Sequence, residues 1–138
     1  MRVFVDNNLS PHLARGLHQL SAGEEPRVTV THIVDHPSLE RTADDVTWIA
    51  TLAAEGDWTV LTQDRLRKSP LEREALRASG LVVFLLERQW AGRSHWDKAA
   101  QLVRWWPLVL RVAPTMSAGA FLMPWRPSGK RRFEPVRR

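Results

Sequence analysis

Five short runs of β-branched, aromatic and aliphatic residues alternate with stretches of helical periodicity, and this alternation constrains the chain most. The runs are RVFVD (2–6), RVTVTHIV (27–34), WTVLT (58–62), LVVFLL (81–86) and GAFLMPW (119–125). Each suits a short strand, and LVVFLL is apolar enough for a strand buried on both faces. Between the first two, Ser10 and Pro11 read as an N-cap and first helical residue, followed by Leu13, Leu17 and Leu20 at helical spacing. Asp44 or Asp45 can cap a second helix carrying Trp48, Ile49 and Leu52. A third helix is expected over 70–78, and Ser94 can cap a long one from about 95 to 112. Strand and helix in strict alternation predict an α/β fold: a three-layer α/β/α sandwich with a mainly parallel central sheet.

The chain has 138 residues, the size of one domain. It contains no cysteine, which excludes disulfides, thiolate metal ligands and a thiol nucleophile. No run of about 18 apolar residues is present, and the N-terminus enters RVFVD directly, unlike a signal peptide. A soluble cytoplasmic protein is therefore expected. The net charge is +5. Residues 126–138 hold Arg126, Lys130, Arg131, Arg132, Arg137 and Arg138 against Glu134 alone, so the whole excess lies there. The expected organisation is a domain over 1–125 and a basic C-terminal tail over 126–138. Such a tail suits a polyanion, an acidic protein, or solubility alone.

Ligands of parallel α/β sheets bind at the carboxyl ends of the strands. Asp6 ends the first run, and Asp64 follows the third in the phrase VLTQD. Asp45 starts the helix that must return from the end of strand two to the start of strand three. Three carboxylates from distant parts of the chain are thus expected at one rim. Close like charges repel unless a cation neutralises them, and all-oxygen donors suit Mg²⁺ or Mn²⁺. Such an ion can activate water and stabilise the leaving oxygen in phosphodiester hydrolysis. Asn8 is a candidate extra ligand or substrate contact, whereas alternation turns Asn7 away. Arg65, Arg67 and Lys68 form a basic cluster fit to face phosphates, with a solvated loop as the plain alternative.

VDNNLSPHLARGL, then ADDVTWIATLAAEGDWTVLTQDR, then LVVFLL resemble the PIN-like superfamily, in the branch grouped with VapC-type toxins. The resemblance covers residues 1 to about 110. It implies a metal-dependent ribonuclease acting on RNA and paired with an antitoxin protein, and leaves a homodimer open. Carried over by position, Asp6, Asp45 and Asp64 match the family's catalytic, metal-binding acids. Asp45 is preferred because the family-like phrase Asp-x-x-Trp-Ile runs from Asp45 to Ile49, with Asp44 as the alternative. One departure stands out. The family places a fourth acid soon after the third, but here Asp64 precedes Arg65, Leu66, Arg67 and Lys68. Either three acids suffice, or Glu72 turns inward, or activity is weak.

Other readings carry less. His32, Asp35 and His36 fit no strong zinc spacing. Trp105 and Trp106 read as packing, while Trp125, beside the basic tail, could stack on a base. A non-catalytic nucleic-acid-binding module with a decayed acidic site is the main rival. A phosphoacceptor domain of receiver type needs a paired acid after strand one, where this chain has Asn7. No P-loop, dinucleotide-binding glycine pattern or exposed-serine turn is present.

Overall fold

The computed structural model describes residues 1–63, 69–127 and 133–135. The elements are β1 (Arg2–Val5), α1 (Pro11–Leu20), β2 (Thr29–His32), α2 (Asp45–Glu55), β3 (Trp58–Thr62), α3 (Pro70–Ser79), β4 (Val82–Leu86), α4 (His95–Val112), β5 (Gly119–Met123) and β6 (Glu134–Pro135). They form one sheet of order β2-β1-β3-β4-β5-β6. β2, β1, β3, β4 and β5 are parallel, and β6 pairs antiparallel to β5.

Alternation along the strands sorts side chains into two cores. Val3 and Val5 of β1, Leu61 of β3, Phe84 and Leu86 of β4 and Met123 of β5 face α1 and α4, through Leu13, Leu17, Leu102, Trp105 and Val109. Phe4, Val60, Val83 and Leu85 face the other way, against Trp48, Ile49 and Leu52 of α2 and the half-buried Ala75 and Leu76 of α3. Both faces are covered, which makes the expected three-layer α/β/α sandwich and explains the unbroken apolarity of β4 and the burial of every β3 side chain.

Local chemistry sets the helix ends. The Ser10, Ser69 and Ser94 hydroxyls accept from the backbone N–H groups of His12, Glu72 and Asp97. α3 closes at Gly80, whose φ of 73° places it in the left-handed region that favours glycine. The second strand is shorter than the run 27–34 suggests. After His32, residues Ile33–Asp35 curl into a single 3₁₀ turn, with the His32 ring accepting the N–H of Val34.

Three described residues of the C-terminal segment, 133–135, pack on the domain. Phe133 is buried, 4.7 Å from Phe84 and 5.1 Å from Trp105 between ring centroids. Glu134 and Pro135 then pair with Leu122 and Phe121. The sheet therefore does not end with GAFLMPW: the one aromatic residue among the tail's charges pulls the chain back onto the core. Lys130, Arg131, Arg132, Arg137 and Arg138 lie outside the described residues.

Candidate functional site

The chain leaves β1 toward β2 on one side and reaches β3 on the other, so the strand order reverses between β1 and β3. A crevice forms at the carboxyl edge of such a switch point. Val5 pairs with Leu61, and one residue further the two strands present Asp6 and Thr62. The Asp6 N–H still bonds the Leu61 carbonyl at 3.3 Å, so the ladder runs into the site.

Asp6 is only 5% exposed, a level at which carboxylates need partners. Its Oδ2 accepts the Thr62 hydroxyl at 2.8 Å, and its Oδ1 accepts the Asn7 backbone N–H at 2.6 Å. Its carbonyl accepts the Leu9 N–H at 3.1 Å, which tightens the turn toward α1. Backbone and carboxylate of this acid are thus held by β3 on one side and by its own turn on the other. Asn8 is exposed in that turn.

Asp45 is the first residue of α2 and half-buried. α2 runs against the strand direction: at its far end the Gly56 carbonyl accepts from the Arg2 guanidinium, at the start of β1. Eleven residues span about 16 Å, which carries Asp45 toward the carboxyl rim. Trp48 links it to β1. The indole stacks on Phe4 with centroids 5.3 Å apart, and its N–H donates to Asp45 Oδ1 at 2.9 Å. Phe4 and Asp6 share a face of β1, so Asp45 and Asp6 lie on the same side of the sheet. Asp44 has another task. Its Oδ1 accepts the Thr47 N–H at 2.8 Å as the N-cap of α2, and hydrogen bonds from Thr47, side chain first and then backbone, hold its carboxyl below the usual value.

Asp64, Arg65, Arg67 and Lys68 lie outside the described residues. Their neighbour Gln63 is described, and its Oε1 accepts from Lys98 Nζ at 3.1 Å. The first turn of α4 therefore overlies the rim beside β3. Glu72, which could turn inward in place of a fourth acid, is half-buried on α3, where its N–H bonds the Ser69 hydroxyl at 3.2 Å. At the end of β4, Glu87 extends the ladder through its N–H to the Met123 carbonyl, and its Oε2 is buried without a hydrogen-bond partner among the described residues. Among those residues no three His, Asp or Glu side chains come together to hold a metal ion.

The histidines near this rim are structural. His32 Nδ1 accepts the Val34 N–H, which leaves Nε2–H to donate to the Leu9 carbonyl at 2.7 Å. His36 Nδ1 accepts the Ser38 N–H, and its Nε2 meets Glu55 Oε1 at 2.9 Å. Asp35 is paired with Arg15 at 2.9 Å. A His32-Asp35-His36 metal site is thus ruled out by the partners each side chain already holds. Trp125 is also committed: Arg93 lies 4.5 Å over its ring and Trp90 packs against it edge-on at 4.6 Å. Its carbonyl accepts from Trp105 Nε1 and Gln101 Nε2. Thr62 and Lys98, by contrast, were not singled out by the sequence. Only the strand register and the placement of α4 put them at the rim.

A parallel α/β sandwich with a buried, oriented carboxylate at its switch point defines a class of acid-rimmed α/β domains. Within it the particular family follows from sequence: residues 1–88 match the model of the PIN like domain, and the chain belongs to that family. No curated protein and no solved structure gave a significant match. No helix among the described residues is long and apolar enough to cross a membrane.

Proposed function

We propose that this protein is a metal-dependent endoribonuclease of the VapC type, cytoplasmic, and the toxin of a toxin-antitoxin pair. The observation that carries the reading is Asp6: a buried carboxylate at the β1/β3 switch point of a PIN-like fold, held by the Asn7 N–H and the Thr62 hydroxyl. Burying a charge there is costly, and hydrogen bonds that fix a carboxylate's orientation are how proteins prepare such ligands. The donor set fits a hard cation, with Asp6, Asp45 and Asp64 as the residues that would hold Mg²⁺ or Mn²⁺. When bound, the ion would activate water and neutralise charge at the phosphodiester. The chain's own part is positioning. Asp6 and Asp45 are oriented by Thr62 and Trp48, while Asn8, Arg65, Arg67 and Lys68 would steer the RNA backbone toward the rim. The proposed partners are RNA and a cognate antitoxin protein.

A second reading, an RNA-binding module with a decayed site, draws support from the sequence after Asp64, where basic residues stand in place of a fourth acid. Cleavage separates the two. Purified protein with Mn²⁺ should cut single-stranded RNA, and chelation or Asp6→Asn should reduce the rate at least a hundredfold without unfolding the chain. Binding without cleavage in Mn²⁺ and Mg²⁺ supports the module instead. Chelator-insensitive cleavage overturns the metal mechanism.

A further inference from the structure

All seven tryptophans are described, and six are buried or half-buried; Trp96 is 80% exposed. A large apolar side chain left in water forfeits about 1.5–3 kcal/mol of burial. Single exposed apolar residues are ordinary, so exposure alone says little. The setting says more. Trp96 lies on the first turn of α4, braced edge-on by His95 at 5.6 Å between centroids. Two residues on, Lys98 reaches Gln63 at the end of β3, the strand whose Thr62 orients Asp6. Trp96 is therefore carried by the same first helical turn that reaches the end of β3. Arg88 and Arg93 are exposed in the turn that joins β4 to α4, and the Arg93 guanidinium is stiffened by the Trp125 ring beneath it and by Nε donating to the Gln89 carbonyl at 3.1 Å. Arg126 is exposed close by in sequence to Trp125. Against these cations stand Glu87, which turns one oxygen inward, and Asp97.

We propose that the start of α4 is a platform for single-stranded RNA, with Trp96 stacking on an unpaired base and Arg88 and Arg93 facing the phosphates. An open indole face at the start of a helix, preceded within eight residues of chain by two exposed arginines, suits binding of single strands with little sequence preference. The platform lies on the α1/α4 side of the sheet, while Asp6 and Asp45 lie on the α2/α3 side, so a strand crossing the rim would be gripped on one side and presented on the other. For its ligand class the proposal rests on the ribonuclease reading.

The test uses the full chain with chelator and a labelled unstructured RNA of about ten nucleotides, within the usual site size of such surfaces, read by fluorescence anisotropy. Trp96→Ala should weaken binding about tenfold, the loss of one stacked base, and Trp96→Phe should recover most of it. Arg88→Ala should flatten the salt dependence by roughly 0.7 in log–log slope, one phosphate contact on a single strand. Unchanged affinity in Trp96→Ala overturns the platform, as does a wild-type protein that binds no RNA. A Trp96→Ala protein that binds RNA normally but changes its oligomeric state makes this surface a protein interface and equally overturns the proposal. Wild-type protein that binds through Trp96 yet never cuts leaves the platform standing and removes the nuclease reading, so the two failures are distinct.

Discussion

Asp6 owes its orientation to a residue 56 positions away: Thr62, fully buried, donates to it across the β1/β3 seam. Removing that hydroxyl leaves a buried carboxylate short of a donor, which costs about 1–3 kcal/mol. Thr62→Val should therefore lower the denaturation midpoint and the cleavage rate together, whereas Thr62→Ser should preserve both; chemical denaturation of the two variants checks this, and a Val variant as stable as wild type would contradict the role given to Thr62. At this scale the sequence was informative about Asp6, because a charge at the end of a β-branched run has few other placements. Local pattern left the capping role open between Asp44 and Asp45, since adjacent acids before a helix are equally able to cap it, and only the family resemblance preferred Asp45 for the site. The geometry separates them, with Asp44 on the Thr47 N–H and Asp45 on the Trp48 indole. Thr62 was invisible because its importance depends on strand register, which no local pattern encodes.

Elements were legible where periodicity was long or capped. α4 runs over His95–Val112, where Ser94 and the apolar stripe put it, even though Pro107 sits inside it. β6 was not legible: two residues in a charged, Pro- and Gly-bearing segment carry no strand signal, and only tertiary contact creates the pairing. Its anchor is Phe133, wedged between Phe84 and Trp105. Phe133→Ala should destabilise the fold by about 3 kcal/mol, as truncations of buried aromatics do. Deleting residues 128–138 should cost at least as much, because it removes Phe133 and β6 together. Thermal denaturation distinguishes this from a free tail, whose deletion would leave the melting temperature unchanged. The removal of basic residues cannot then be read as an RNA effect until stability has been matched.

For the whole molecule, two side-chain contacts tie the loop after β2 to both helical layers: the Asp35–Arg15 ion pair on α1, and the hydrogen bond from His36 to Glu55 of α2. The Arg15 guanidinium holds Asp35 below its ordinary value of 3.8, and His36, with the Trp58 indole, holds Glu55 below 4.5. A carboxyl lowered in the folded state contributes stability above its unfolded value, and that contribution fades as pH falls through the folded value. Acidification below about pH 4.5 should therefore weaken the fold through these groups. The Arg15–Asp35 pair is open to solvent and therefore weak, whereas the Glu55 carboxylate rests on a buried His36 ring. Asp35→Asn with Glu55→Gln should start less stable at neutral pH and lose less on acidification. Parallel urea midpoints against pH for variant and wild type would contradict the assignment. The three-layer architecture itself was readable from the order of the runs, because right-handed β–α–β crossovers leave few alternatives. The switch point between β1 and β3 emerges only when strand order is known.

The central claim is that the carboxyl rim between β1 and β3 holds a divalent cation through Asp6. Calorimetric titration of the metal-free full chain with Mn²⁺ tests it without relying on any RNA. The account predicts saturable binding that is lost, or weakened at least tenfold, in Asp6→Asn and in Asp45→Asn, with both variants folded, while Asp44→Asn binds as wild type does. Mn²⁺ affinity unchanged by Asp6→Asn, or no binding by the wild-type chain, would contradict it.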